Sequence, residues 1–398
     1  MAYDFDETVN RRGTWSLKWD VPEGVLPMWV ADMDFKAAPE IREDFENRVK
    51  EGVFGYQIVP DEWYEAYQGW WERRHHVTLQ KEGLVFTTGV VPAISSAVRK
   101  LTTPNERVVI LSPVYNIFYN SILNNGCRVL ESKLKYRGTG YEIDWKDLES
   151  KLADPETTLL IFCNPHNPIG KIWDKETLAK IGDLCAQYHV TVLADEIHCD
   201  LTDPGKEYVP FISASETCRR ISITLIAPTK CFNLAGLQSA AVYAENEGLR
   251  HKIWRALNTD EVAEPNALAV AAAVSAFTKG EAWLDELRQY IYDNKQLVRD
   301  FVMKEIPEVY VVPSEATYLL WLDMKGLKRS PDWSRQTPLG TVLEEYLYKE
   351  AGLYLTSGAE YGSGGEDFLR MNVATSRANV EEGLKRLNKG LGKYLYLS

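Results

Sequence analysis

Lys230 follows an apolar run and stands between two stretches that read as strands. Ile221, Ile223, Leu225 and Ile226 make the first, which stops at Ala227-Pro228 because proline cannot donate to a ladder. After the loop CFNLAGLQ the second stretch, SAAVYA, begins at Ser239. An ammonium group in apolar surroundings is costly unless it is paired or neutral. A lysine placed there has a lowered pKa and can attack a carbonyl as a free amine. For a lone lysine, a surface turn is the better reading; the groups upstream change the balance.

Asp195 ends VTVLAD. Alone it reads as a helix cap, but beside a reactive lysine it can keep a pyridine nitrogen protonated, as a pyridoxal phosphate electron sink requires. NPHNPIG (164–170) is a rigid turn whose two prolines fix φ, and its Asn167 offers an amide to a phenolic oxygen. TTGVVPAIS sets backbone N–H groups at a helix N-terminus, a ready phosphate site, and the Thr229 hydroxyl can join it. Tyr115 in SPVYNIF can stack on a flat ring, with a core tyrosine as the plain alternative. Arg370 lies within the apolar strand FLRMNVA, where a guanidinium needs an anionic partner, most naturally a carboxylate.

The elements that must position these groups alternate. Strands LVFTT, RVVILS (107–112), CRVLESK, TTLLIFC (157–163), VTVLAD (190–195) and the lysine strand are interleaved with helices VPAISSAVRKL, WKDLESKL and KETLAKIGDLCAQY. This rhythm predicts an α/β fold with a mostly parallel sheet covered by helices on both faces. In such sheets function gathers at the carboxyl ends of the strands, which picks out Gly89, Tyr115, Asn167, Asp195 and Lys230 together. Before the first strand, VLPMWVADMDFKAAPE reads as an extended segment entering a helix near Pro39. An aromatic-rich helix from Asp61 to His75 carries Trp63, Tyr67, Trp70 and Trp71 at core spacing. Beyond about Arg288 a long helix (281–305), strands VYVVP, TYLLWLD and FLRMNVA, a polar loop LKRSPDWSRQTP and a last amphipathic helix suggest a smaller α+β domain. The expected division is a large domain at 46–287 and a small one built from 1–45 and 288–398.

Composition narrows the function classes. With 398 residues, 45% of them hydrophobic and 26% charged, the chain has material for two domains. A net charge of −12 argues against nucleic acid or an anionic membrane surface as partner. The six cysteines (127, 163, 185, 199, 218, 231) contain no CxxC pair, which reads as a reducing compartment with no metal site. No run reaches the roughly 18 apolar residues of a membrane span, and the N-terminus lacks an apolar leader; a cytoplasmic protein is expected.

Taken in order, NPHNPIG, ADEIH and TKCFNLAG resemble the fold type I pyridoxal-phosphate enzymes of the aspartate aminotransferase superfamily, over essentially the whole chain. Within it, SLKWD (16–20), VADMDF (30–35), GVVPAI (89–94), DEIHCDL (195–201), APTKCFNLAG (227–236) and YGSGGEDFLRMNVA are most similar to the cystalysin and MalY/PatB group of cysteine-S-conjugate (cystathionine) β-lyases. The resemblance implies pyridoxal 5'-phosphate bound covalently to Lys230, with Asp195 on the ring nitrogen, Asn167 on the ring oxygen and Tyr115 stacked on the ring. It implies phosphate contacts from the Val90 and Val91 amides, Thr229 and Tyr56, the last reaching across a homodimer interface. Arg370 would bind the substrate α-carboxylate, beside Tyr115 and Asn167. Lys230, Asp195 and Tyr115 are then the expected catalytic groups, and His198 is left between a cofactor contact, a supporting role and packing.

Two positions depart from the wider pattern. Many aminotransferases of the superfamily carry an arginine eight residues after the lysine, where this chain has Gln238; that suits the lyases. Cystalysin-like chains can carry a second aromatic after the stacking tyrosine, where this chain has Asn116. The reaction implied is α,β-elimination from L-cystathionine, L-cysteine or a related thioether to pyruvate, ammonia and a thiol. The alternative is a class I/II aminotransferase using the same lysine.

Overall fold

The computed structural model describes residues 3–328 and 336–397. In chain order its main elements are α1 (Pro39–Lys50), α2 (Asp61–His75), β1 (Leu84–Thr87), α3 (Val90–Leu101), β2 (Arg107–Ile110), α4 (Ile117–Leu123), β3 (Arg128–Glu131), α5 (Trp145–Leu152), β4 (Thr157–Cys163), α6 (Lys175–Gln187), β5 (Thr191–Asp195), β6 (Ser222–Ile226), β7 (Ala240–Tyr243), α7 (Glu247–Thr259), α8 (Ala269–Lys279) and α9 (Glu281–Glu305). Then come β8 (Tyr310–Val311), β9 (Leu319–Asp323), α10 (Leu339–Tyr346), β10 (Thr356–Ser357), β11 (Phe368–Asn372) and α11 (Arg377–Leu397).

β1 to β7 form one sheet in the order β1-β7-β6-β5-β4-β2-β3. All its pairings are parallel except those of β7, which runs antiparallel to β1 and β6. The central strands are largely apolar because both faces are covered. Leu159, Ile161 and Cys163 of β4 face the layer that includes α3 and α7, while Leu160 and Phe162 face the layer of α5 and α6. The period of two is therefore present but hidden by burial on both sides. Cys163 lies opposite Asp195, and Asp195 opposite Leu225, so the carboxyl ends of β4, β5 and β6 are level.

A second, antiparallel sheet runs β8-β9-β11-β10. β8 is shorter than its apolar run suggests: Val312 still donates to the Trp321 carbonyl (2.9 Å), but Pro313 has no N–H with which to continue. The expected polar loop after β9 lies, over 329–335, outside the described residues. Trp63, Tyr67, Trp70 and Trp71 of α2 are buried as core, Tyr67 and Trp70 packing on Phe277 of α8 at 4.8 and 5.1 Å between centroids. Among the described residues no helix is long and apolar enough to cross a membrane.

The extended N-terminal stretch forms a strand only at Leu26–Pro27, paired with Leu353–Tyr354. The rest, Met28 to Phe35, makes only scattered backbone bonds, and side chains supply much of what holds it. Asn372 donates its backbone N–H to Met28 O (2.9 Å) and its amide to Val30 O and Asp32 O (2.6 Å each). Asn233 donates to Met33 O (3.0 Å) and Phe35 O (2.8 Å). Below the segment, the fully buried Lys18 ammonium pairs with Asp34 at 2.8 Å, and Arg11 and Trp19 also donate to Asp34.

Burial pushes the Asp34 carboxyl up, but Lys18, Trp19 and Arg11 outweigh it and hold the group below the usual carboxylate range. A depressed carboxylate contributes stability above its unfolded pKa and loses it as pH falls through the folded value, so this network should fail in acid below about pH 4. Asp34→Asn leaves Lys18 buried beside a neutral amide and is expected to cost about 3–5 kcal/mol in urea unfolding. Lys18→Met with Asp34→Asn should recover much of that loss; equal stability of wild type and Asp34→Asn would refute the account.

Candidate active site

The carboxyl edge of the large sheet opens into a cavity of about 260 Å³ lined by Gly89, Val90, Val91, Tyr115, Asn167, Asp195, His198, Thr229 and Lys230, with Gln238 on its wall. All five groups singled out by the strand-end rule are there. Each arrives by a different local device. Lys230 sits just past β6, in the loop that turns the chain into antiparallel β7. Asp195 is the last residue of β5, and Val90 and Val91 open α3. The first turn of a helix leaves its N–H groups without intrahelical acceptors; here Val90 and Val91 carry them, and residue 92 is a proline with none. Asn167 is carried by the turn after β4, which ends at Gly170. That glycine has φ +65° and approaches so closely that a Cβ would meet Ser314 Cβ at 2.5 Å and Ala316 O at 2.8 Å, so only glycine fits.

Lys230 Nζ donates to the Ala31 carbonyl at 2.6 Å. Burial lowers its pKa to about 8, with Arg370 adding to the effect and Asp32 and Asp195 opposing it. Asp195 is lifted to about 7 by burial, against the Ile197 N–H (3.2 Å) and the Lys230 charge. Burial, Lys230 and Arg370 drive His198 down to about 3. Its imidazole is therefore neutral, with Nδ1 unpartnered and the ring set edge-on to Tyr318 at 6.1 Å between centroids. Burial raises the Tyr115 phenol, which stays protonated.

Arg370 reaches over from β11. It donates to Trp29 O (2.8 Å) and to Asn167 Oδ1 (3.3 Å), while its buried Nε has no partner. A desolvated guanidinium held by two neutral acceptors, with its Nε and other N–H groups left over, is poised for an incoming carboxylate. Because the Asn167 oxygen is taken by Arg370, its amide N–H2 is left as the donor. Tyr56 is elsewhere: it is fully exposed, and its own chain does not bring it to the cavity.

The donor set fits pyridoxal 5'-phosphate group by group: a partly neutral amine for the aldehyde, a carboxyl for the ring nitrogen, an amide for the ring oxygen, and two N–H groups with a hydroxyl for the phosphate. Sequence reasoning missed the Ala31 carbonyl, which also accepts from Tyr318 Oη (2.8 Å), and the Trp29 carbonyl beneath Arg370. Every residue has a carbonyl, so its type carries no signal. The only hints were polar side chains in apolar strands, such as Asn372.

Residues 30–387 match the family model described as aminotransferase class I and II. Cystathionine beta-lyase PatB of Bacillus subtilis (strain 168) is 40% identical to this chain, covering 98% of it and 100% of PatB. Protein MalY of Escherichia coli (strain K12) is 32% identical, covering 97% of this chain and 98% of its own. The crystal structure of cystalysin from Treponema denticola, which contains a pyridoxal 5'-phosphate cofactor, has a TM-score of 0.93 and 33% identity, covering 99% of this chain and 100% of that one.

Proposed function

Since the chain belongs to the aminotransferase class I and II family, we propose that its cleft carries out a pyridoxal-phosphate-dependent α,β-elimination on cysteine thioethers such as L-cystathionine. With one water, the thioether gives a thiol, pyruvate and ammonia. The observation that carries this reading is the full-length similarity to a cystathionine β-lyase, on a fold whose cleft is lined by the required groups.

When bound, the cofactor supplies the electron sink for the pair left behind when the Cα proton departs. Lys230 Nζ would hold the cofactor through its aldehyde carbon, and its amine would become free once the substrate's amine takes that place. The freed amine then takes the Cα proton as general base. Arg370 would fix the α-carboxylate through the N–H groups that lack a partner, which orients the Cα–H bond toward Lys230. With the cofactor bound, Asp195 would face its ring nitrogen, and that cationic neighbour would draw its carboxyl down from about 7 and keep it ionised. The Val90 and Val91 N–H groups and the Thr229 hydroxyl would hold the phosphate, and Tyr115 would cover the ring. Lys230 returns its proton to the departing sulfur, with the Tyr115 phenol as the second acid lining the cavity.

Pyruvate release from L-cystathionine with no 2-oxo acid present tests the reading. Turnover that requires a 2-oxo acid acceptor would replace it with transamination. Cofactor capture gives an independent check, since only the neutral amine attacks the aldehyde. The rate at which apoprotein takes up cofactor should rise about tenfold per pH unit and level off near the Lys230 pKa of about 8. A rise continuing past pH 10 would mean an unperturbed lysine.

The active unit in this reading is a homodimer in which Tyr56 completes the partner's phosphate site. Val53, Phe54, Tyr56 and Ile58 are all exposed, next to a groove of about 640 Å³ lined in part by Val59, Tyr64 and Trp254, which supports an apolar interface there. Mixing inactive Lys230→Ala and Tyr56→Ala subunits should restore about a quarter of full activity, because half of the random dimers are hybrids and each has one intact site of two. No recovery after verified exchange would refute a shared site. The division into 46–287 and 1–45 with 288–398 belongs to the same reading, supported by the separate second sheet. So does a cytoplasmic location, supported by six free, buried thiols.

A further inference from the structure

We propose that His75, Cys199, Asp200 and Cys231 form a site for one thiophilic divalent cation of the zinc class, set behind Lys230. The four residues come from three places: the end of α2, the segment after β5, and the loop after β6. The donor atoms of His75, Cys199 and Asp200 all lie within 4.8 Å of one another. Asp200 Oδ1 is 2.9 Å from His75 Nε2 and accepts from Trp70 Nε1 at 3.0 Å. Its other oxygen, Oδ2, has the sulfurs of Cys199 and Cys231 each at 3.7 Å. Ligands about 2.0–2.3 Å from a tetrahedral zinc stand roughly 3.3–3.8 Å apart, so the donors of His75, Cys199 and Asp200 need to contract by about 1 Å at most, while Cys231 already meets Oδ2 at that spacing.

With no ion bound, His75 and Trp70 share Oδ1 and the Cys199 and Cys231 thiols donate to Oδ2, so all four residues already converge on one carboxylate. An ion would replace the two S–H protons and take the same donors. Two sulfurs, an imidazole and a carboxylate suit zinc or cobalt and disfavour magnesium or calcium, which take oxygen ligands. Trp70 plays the outer part, holding the carboxylate so that Oδ2 faces the sulfurs. A polar cavity of about 420 Å³, separate from the catalytic one, is lined by His75, Cys199 and Asp200 and gives an ion a route in. Coordination releases both thiol protons to solvent. Two thiolates, one carboxylate and the ion then sum to one negative charge beside Arg74, which lines the same cavity and is itself held by Asp285 at 2.7 and 3.1 Å.

The site would touch function through its neighbours. His198 and Lys230 line the catalytic cavity, while the next residue in each case, Cys199 and Cys231, turns to the opposite side. An ion there would brace both loops from behind. The spacing of the cysteines in sequence predicts no metal site, because these donors are brought together only by the fold.

The test uses holoenzyme freed of metals by a chelator and titrated with Co2+ alone. One equivalent per chain is expected to bind, with the intense visible bands of tetrahedral cobalt and thiolate-to-cobalt charge transfer. Cys199→Ala and His75→Gln, each checked for folding and retained cofactor, should weaken binding at least about 100-fold. The wild-type spectrum decides even if a variant fails to fold: no thiolate–cobalt band at stoichiometric cobalt overturns the proposal. So does a band undiminished in either folded variant, which would place the ion elsewhere.

Discussion

Replacing Lys230 with alanine is expected to lower pyruvate formation at least about 10⁴-fold while leaving the fold intact. The position carries two duties in the proposed mechanism, and a side chain without an amine performs neither. Loss of the base alone accounts for about 10²–10⁴, and loss of the covalent tether also removes the absorbance that marks cofactor linked to lysine. The substitution should not unfold the protein, because Nζ makes its hydrogen bond to a single backbone carbonyl, that of Ala31. Soluble primary amines small enough for the cavity should restore part of the rate. Measured elimination within tenfold of wild type would remove Lys230 from the chemistry.

The second large effect is expected at Arg370. Arg370→Ala should reduce kcat/KM roughly 30- to 5,000-fold, the range for losing one partner of a desolvated, hydrogen-bonded charge pair. Most of the loss should fall on KM, since the guanidinium meets a carboxylate that does not react. Arg370→Lys should recover little. The native side chain sends one N–H to Trp29 O and another to Asn167 Oδ1 while keeping Nε for substrate, a geometry that a single ammonium cannot reproduce. A lysine variant with wild-type KM would show that charge alone suffices and that the fork is incidental.

The parts of the site that were legible in the sequence share one property: they lie where a βα unit must end. A parallel strand terminates at a predictable residue, so Asp195, Asn167 and Lys230 could be placed on one edge without knowing their distances. β4 was legible for the same reason, since burial on both faces writes itself as the unbroken run LLIFC, while β6 showed through its alternating Ile223 and Leu225 and the Ile226 that follows. The N-terminal segment was not. It reads as extended, but its hydrogen bonds go to Asn233 and Asn372, far along the chain, and no local pattern reports such pairings. The group of His75, Cys199, Asp200 and Cys231 was hidden likewise, with His75 and Asp200 separated by 125 positions. Tyr56 was assigned through resemblance alone; an exposed tyrosine in an irregular segment has no signature of its own.

The path of Met28 to Phe35 has a consequence for how the protein is born. Arg370 donates to Trp29 across 341 positions, and Asn372 holds Val30 and Asp32 from the same strand. A nascent chain on the ribosome therefore possesses Lys230, Asp195 and Asn167 long before the residues that seat the Ala31 carbonyl against them. Until β11 has left the exit tunnel, Asn233 can hold only the Met33–Phe35 end of that floor, and Trp29, Val30 and Asp32 lack their donors. Cofactor loading thus belongs to the completed polypeptide, and translation arrested short of β11 would yield a chain with the catalytic side chains upstream of it but an unfinished cleft floor at Trp29, Val30 and Asp32.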